Sequence, residues 1–211
     1  MKRTIRNIIF DFGGVLVDLD KQVCVDAFER IGAHEISGYV DECRQEDLFH
    51  ELEIGSISVH DFCEEVRRKS SCQAADEDIC GAWNALLRGI PRHRLAALLE
   101  LRQHYRLFLL SNTNSIHWQK AVEELFRMED FGVNDYFEET YLSYELHLLK
   151  PGTDIFEFLL KDAGIKADET LFIDDSAANC SGARQVGIHS LQATGDEWLH
   201  ELNINVKNTT R

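Results

Sequence analysis

Positive charge is scarce in this chain. Its 211 residues carry 22 Lys and Arg against 37 Asp and Glu, a formal net charge of −15. Phosphate backbones are bound by clustered Lys and Arg, so this balance argues against nucleic acid as a partner. It argues equally against an anionic membrane surface. A phosphorylated small molecule would also be repelled, unless a divalent cation and a lysine made its site locally positive. Long apolar runs are missing too: nothing approaches the roughly 20 residues that span a bilayer. The basic start, Met1-Lys2-Arg3-Thr4-Ile5-Arg6, leads into an apolar stretch that stops at Asp11. It lacks the length and the small-residue cleavage site of a signal peptide, so the expectation is a cytoplasmic protein. Repeats and low-complexity linkers are absent. The six cysteines (Cys24, Cys43, Cys63, Cys72, Cys80 and Cys180) make no C-x-x-C pair and have no histidine at zinc-finger spacing. They are expected to be reduced thiols in small-hydrophobe roles.

What is present is ordinary in bulk, with 44% hydrophobic and 28% charged residues. That suits one sizeable core, or one core with a small accessory domain. Three apolar runs each end on a reactive polar residue. Ile8-Ile9-Phe10 runs into Asp11, Leu107-Phe108-Leu109-Leu110 into Ser111, and Leu171-Phe172-Ile173 into Asp174 and Asp175. Short continuous apolar runs suit buried parallel strands. If these strands are neighbours, their polar ends gather at the carboxyl edge of one sheet, where open α/β sheets bind ligands. Three carboxylates, a hydroxyl and the ammonium of Lys150 at that edge describe a site for a metal ion and an anion, with phosphate the best fit.

The first two strands, Ile5–Phe10 and Arg106–Leu110, lie much further apart than the roughly 30 residues of a simple β-α-β unit. The excess, Val17 to Pro91, is expected to be a helical insertion. Val23, Ala27, Phe28 and Ile31 share helical spacing, with Gly32 as a stop. Ser58 is an N-cap candidate with Asp61 three residues on, opening a stripe that includes Phe62 and Val66. Ile79, Trp83, Leu86 and Leu87 make a further stripe closed by Gly89 and Pro91, and Tyr39–Leu52 reads as helical between them. The expected division is therefore a doubly wound parallel α/β core of residues 1–16 and 92–211, with a helical-bundle cap of residues 17–91. In the core, Leu95, Leu98, Leu99 and Leu101 mark a helix before the second strand, and Ala121-Val122-Leu125-Phe126 a helix after it. Tyr141-Leu142 is a short strand. A helix runs from Pro151 to Gly164, another from Ala177 to Gln185, and a last strand from Ile188 to Leu191. Asn203–Arg211 is polar and expected to fray.

A lone Asp after a strand more often caps a turn or helix than acts as a nucleophile. Here it is followed by Phe12-Gly13-Gly14, and adjacent glycines let backbone amides approach an anion closely. A carboxylate in such a setting can attack phosphorus if a cation neutralises the oxygens. Asp11-Phe12-Gly13-Gly14-Val15-Leu16, Ser111-Asn112-Thr113-Asn114, Lys150-Pro151 and Phe172-Ile173-Asp174-Asp175-Ser176 resemble, in order, the four motifs of the haloacid dehalogenase superfamily. The insertion falls where that family's helical cap falls. The branch most resembled is the cap-bearing sugar-phosphate phosphatases, including bacterial glucose-1-phosphate phosphatases.

The resemblance implies a magnesium-dependent hydrolase of a small phosphorylated metabolite. Asp11 would be the nucleophile, forming an aspartyl-phosphate, and a magnesium ligand. Gly13 would offer its backbone carbonyl to the metal, and Gly14 would contact the phosphate. Ser111, with Asn112, would hold the transferring phosphoryl group, and Lys150 would neutralise charge between it and Asp11. Asp175 would be the second carboxylate on the metal. Asp174 would be a ligand through water or an orienting group, and Asn179 would hold a metal-bound water. Magnesium keeps several waters, so few protein oxygens suffice.

One departure stands out. Phosphatases of the superfamily usually carry an acid two residues after the nucleophile, and here that position is Gly13. Asp18 and Asp20 lie further on, past an apolar run. His117 is a candidate proton donor, although a lone His after a strand is more often structural. Alternative readings are a metal-independent dehalogenase, a phosphomutase, or a catalytically silent binding module of the same fold. The paired Asp174-Asp175 argues against the first. Trp83, Asn84, Glu53 and His50 are candidate cap residues lining the site, with Trp83 better suited to a core.

Overall fold

In the computed structural model of the protein, residues 5–36, 40 and 48–202 are described. Strands β1 (Asn7–Phe10), β2 (Asp18–Leu19), β3 (Leu87–Gly89), β4 (Arg106–Ser111), β5 (Glu139–Leu142), β6 (Thr170–Asp174) and β7 (His189–Gln192) make two sheets. The larger is five-stranded in the order β5-β4-β1-β6-β7. All of its pairings are parallel, with Phe10 opposite both Leu109 and Ile173. This is the doubly wound core expected from the sequence. The three strands whose ends carry Asp11, Ser111 and Asp174 are adjacent.

Side chains alternate between the faces of a strand, and the sheet divides its apolar residues accordingly. Ile8, Phe10, Leu107 and Leu109 pack on one side with Phe126, Tyr136 and Trp198. Ile9, Phe108, Leu110 and Phe172 pack on the other with Ile155, Phe156 and Leu159. Both faces are covered by helices, which explains why the strands are continuous apolar runs rather than alternating ones.

Between β2 and β3 lie helices α1 (Lys21–Arg30), α2 (Leu48–Glu53), α3 (Val59–Ser70) and α4 (Asp76–Asn84). They share an apolar cluster of their own, centred on Phe28, Phe49, Phe62, Val66, Ile79 and Trp83. Ile116, from the sheet-bearing part of the chain, also belongs to that cluster. Ser58 caps α3 with the reciprocal Asp61 bond expected of it. The chain enters and leaves this segment through an antiparallel two-stranded ribbon, with Asp18 opposite Gly89 and Leu19 opposite Leu87. The apolar spacing predicts Leu86 and Leu87 on the preceding helix. That helix ends at Asn84, and Leu87 pairs in the ribbon while Asp20 N–H donates to the Leu86 carbonyl at 2.9 Å. Of the stretch Tyr39–Leu52 expected to be helical, Val40 and the residues of α2 are described; residues 37–39 and 41–47 lie outside the described residues, as do residues 203–211.

After β3 come α5 (Arg92–Leu101), α6 (Ser115–Lys120), α7 (Thr153–Asp162), α8 (Ala177–Gln185) and α9 (Glu197–Glu201), with short helical turns at Val133–Tyr136 and Ser143–Leu146. The helix expected around Ala121 is a π-turn, Ala121–Leu125, that extends α6. Pro151 stands just outside α7 rather than in its first turn, and Gly152 is the N-cap. Gly164, past the other end, has φ of 61°, the left-handed stop that glycine provides most easily. No helix among the described residues is long and apolar enough to cross a membrane.

Candidate active site

Asp11 directly follows β1, Ser111 ends β4, and Asp174 ends β6 with Asp175 next. Parallel register puts these positions at one edge. One carboxylate oxygen from each of Asp11, Asp174 and Asp175 lies within 4.8 Å of the others. Asp11 and Asp174 are buried, whereas Asp175 reaches solvent.

Lys150 sits beneath this cluster and is buried. Its ammonium donates to Asp11 Oδ1 at 2.6 Å, to Asp174 Oδ2 at 2.7 Å and to the Leu110 carbonyl at 3.0 Å. All three N–H groups are thus engaged. Burial opposes the ammonium's charge, but Asp11 and Asp174 outweigh it and hold the lysine above its ordinary pKa. Asn112 fixes Lys150 in place. Its side-chain amide donates to the Lys150 carbonyl at 2.9 Å, and its Oδ1 accepts from the Lys150 N–H at 3.0 Å.

Asp174 is held from several directions. Besides Lys150, its carboxylate accepts from the Ser176 N–H at 2.8 Å and from Asn179 Nδ2 at 3.0 and 3.1 Å. Such a carboxylate is an orienting group. Asn179 thus grips the Asp174 carboxylate directly.

Gly14 has φ of 75°, and a Cβ there would stand 2.4 Å from Asp175 Oδ2. Only glycine gives the Asp175 carboxylate this room. The Gly14 amide, expected to meet a phosphate, donates instead to the Val17 carbonyl at 2.9 Å. Its carbonyl accepts from Gly195 N–H at 2.8 Å. Gly13, in contrast, has no positive φ, and a Cβ there would meet only the Leu19 side chain, 3.3 Å away.

With all three carboxylates ionised against one ammonium, the cluster has two more negative charges than positive ones. Burial drives the Asp11 carboxyl up to about 7 against the pull of Lys150. Asp175 is also raised, by burial and then by the charge of Asp174. Crowded acids of this kind call for a cation. Hard oxygen donors and a local charge deficit of two fit a divalent ion such as magnesium. Asp11, Asp174 and Asp175 together could hold it, and Asp174 is the one with the most protein partners.

Ser111 is buried at the same edge, its hydroxyl making a long 3.4 Å contact to the Asn112 carbonyl. His117 lies away from this chemistry. Its Nε2 donates to the Trp83 carbonyl at 3.1 Å, and its ring stacks on the Trp83 indole with centroids 4.5 Å apart. Burial holds its pKa at about 4, so the ring is neutral at physiological pH. It ties α6 to α4 through these contacts. Trp83 is buried in the helical segment's own core, as its apolar stripe suggested. Glu53 touches the sheet-bearing part through its backbone, where its carbonyl accepts from Ser143 Oγ at 2.6 Å.

Three contributors were not visible in the sequence. Ser143 is buried and bonds both the N–H and the carbonyl of Thr113, at 2.9 and 3.0 Å, as well as Glu53. Arg94, buried on an apolar helix, donates to the Leu16 carbonyl at 2.9 Å, to Asp18 at 2.8 Å and to Asp196 at 2.7 Å. It thereby fixes the loop that follows Asp11. Gly182 lies inside α8, where a Cβ would stand 2.2 Å from the Pro151 carbonyl. A glycine in a helix interior costs about 1 kcal/mol relative to alanine, and that cost was the one available signal.

A family model described as haloacid dehalogenase-like hydrolase matches residues 5–187. The chain is 35% identical over 201 residues to a D-ribitol-5-phosphate phosphatase of Bacteroides thetaiotaomicron, covering 95% of this chain and 98% of that protein. Among solved structures, an HAD family enzyme from Bacteroides thetaiotaomicron, in complex with magnesium and inorganic phosphate, superposes with a TM-score of 0.89 at 40% identity. That match covers 93% of this chain and 98% of the other. An HAD-like family hydrolase of Porphyromonas gingivalis gives a TM-score of 0.87 at 33% identity, covering 95% and 97% of the two chains.

Proposed function

Since the chain belongs to the haloacid dehalogenase-like hydrolase family, we propose that it is a magnesium-dependent phosphatase acting on a small sugar or polyol phosphate through an aspartyl-phosphate on Asp11. The observation that carries this reading is the buried Lys150 ammonium shared between Asp11 and Asp174, with Asp175 completing a cluster that lacks two positive charges. The magnesium and phosphate named for one structural relative, and the ribitol phosphate named for a sequence relative, support it.

In this reading Lys150 holds Asp11 Oδ1, leaving the other oxygen to attack phosphorus. Attack forms the Asp11 O–P bond and breaks the bond to the leaving oxygen, which departs as an alkoxide and takes a proton from outside the Asp11 pair. Water then attacks the phosphorus, releases inorganic phosphate and restores the carboxylate. Ser111 donates its hydroxyl to the phosphoryl oxygens throughout. Phosphoryl transfer places charge on the equatorial oxygens, so fixed donors and cations supply most of the catalysis. Bound by Asp11, Asp175 and the Gly13 carbonyl, magnesium would neutralise those oxygens and let two anions meet.

Residues 17–91 act as the cap over this edge. The two-stranded ribbon is their hinge, and Ser143 and His117 are their docking points on the core.

A panel of sugar and polyol phosphates assayed with and without magnesium tests the activity. Release of phosphate is expected only with the metal. Asp11→Asn should abolish turnover while circular dichroism stays unchanged, because the amide is nearly isosteric but is neither nucleophile nor anionic ligand. Substantial residual turnover by Asp11→Asn would remove Asp11 as the covalent residue.

A further inference from the structure

Two cysteines of the helical segment face each other away from the carboxylate cluster. Cys63 on α3 and Cys80 on α4 place their sulfurs 4.0 Å apart. Their surroundings differ. Cys63 is wholly buried in the apolar cluster beside Phe62 and Val66. Cys80 is partly exposed and lines a cavity of about 280 Å³ together with Val59, Asn84, Ser115 and Gln119. A small oxidant can therefore reach Cys80 but not Cys63.

The pair has no other evident duty. Among the described residues, the one group of three or more potential metal ligands is the aspartate cluster of the active site, and neither thiol belongs to it. Cys24 directs its thiol to the Ala82 carbonyl at 3.4 Å, and Cys180 to the Asp174 carbonyl at 3.7 Å. In the Cys63–Cys80 pair, by contrast, a thiol meets a thiol.

We propose that Cys63 and Cys80 form a redox-active dithiol that a peroxide converts into an intramolecular disulfide. Cys80 is the attacking sulfur. Its thiolate attacks one peroxide oxygen, breaking the O–O bond and releasing hydroxide, and becomes a sulfenic acid. The Cys63 sulfur then attacks the Cys80 sulfur and expels the hydroxyl as water, its own proton leaving with it. Two thiols and one hydrogen peroxide give one disulfide and two waters. The peroxide is the oxidant, reduced by two electrons, and the dithiol is oxidised by two.

The local electrostatics agree with this division of labour. The contact between the two thiols favours the Cys80 thiolate, against the burial and the nearby Asp76 and Glu77 that oppose it. The same contact, with burial, raises Cys63. An accessible thiol beside a resolving cysteine is the arrangement that redox-sensing cysteines use. Bond formation brings the sulfurs from 4.0 Å to about 2.05 Å, a movement shared by two side chains on neighbouring helices. In a reducing compartment such a bond would be transient, as regulatory disulfides are.

The test treats the reduced full-length protein with hydrogen peroxide and then alkylates it. Non-reducing digestion and mass spectrometry follow. The expected result is a chain lighter by two hydrogens, a crosslinked peptide pair containing Cys63 and Cys80, loss of both alkylation sites, and full reversal by dithiothreitol. Cys63→Ser should block the crosslink and leave Cys80 as a sulfenic acid that dimedone traps. Wild-type protein whose two thiols stay alkylatable would overturn the proposal. So would oxygen addition at Cys80 with no crosslink, or a crosslink from Cys80 to Cys24, Cys43 or Cys72. The wild-type measurement decides the matter even if the serine variant folds poorly.

Discussion

Lys150 Nζ stands 2.6 Å from Asp11 Oδ1, and both groups are buried. An ammonium and a carboxylate at this separation, away from water, bind strongly but depend on each other. Breaking such a pair by removing one partner typically costs about 3–5 kcal/mol, because the other charge is stranded. Here a second carboxylate, Asp174, is stranded with it.

Lys150→Ala should therefore do two things. In metal-free buffer it should destabilise the protein by about 3–5 kcal/mol in urea unfolding. It should also lower turnover about 10²-fold or more, the scale set by loss of one preorganised donor. An unchanged rate would mean that Lys150 only neutralises Asp11 in the resting protein.

Asp175→Ala should raise the magnesium concentration needed for half-maximal activity, since it removes one of the carboxylates available to hold the ion. Excess chelator should stop the wild-type reaction, and magnesium should restore it. Activity that persists in chelator would favour metal-independent hydrolysis at the same aspartate.

The glycine at position 13 predicts a steep dependence on the leaving group. A positioned acid is worth about 10²–10⁴-fold, most for poor leaving groups. Aryl, acyl and anomeric phosphates should therefore outperform simple alkyl phosphates. The positive φ that would make a side chain intolerable belongs to Gly14 and not to Gly13. A Cβ at Gly13 would ask the tip of Leu19, 3.3 Å away, to yield by a few tenths of an ångström. Gly13→Asp should thus fold and should narrow the gap between aryl and alkyl phosphates. A flat leaving-group profile in the unaltered protein would mean that another side chain gives the proton. Ribitol 5-phosphate, named for the relative, is a primary alkyl phosphate and belongs in the series.

His117 sets a pH dependence of stability. Burial lowers its pKa from 6.5 to about 4 in the folded chain. Between those values the unfolded chain binds more protons, so stability falls as pH falls through that window. The shift corresponds to about 3 kcal/mol, lost progressively between about pH 6.5 and 4. Urea unfolding at pH 7 and pH 4.5 should show a smaller loss for His117→Gln than for the wild type. Equal losses would show that His117 is not the group responsible.

The sequence by itself determined the sheet and its reactive edge. Apolar runs that are buried on both faces and end on Asp11, Ser111 and Asp174 can only be central parallel strands, and an oversized first crossover can only be an insertion. These features are local in the chain, so they are legible there. Tertiary structure alone decided how each group is used. Whether His117 meets substrate or the Trp83 carbonyl depends on how the fold brings together segments well apart in sequence. Gly182, Arg94 and Ser143 likewise take their roles from partners distant in sequence. Gly182 makes room for Pro151, while Arg94 and Ser143 satisfy the backbones of Leu16 and Thr113. A residue's type shows what it can do, but packing chooses its partner, because a buried polar group must bond whatever the fold brings within reach.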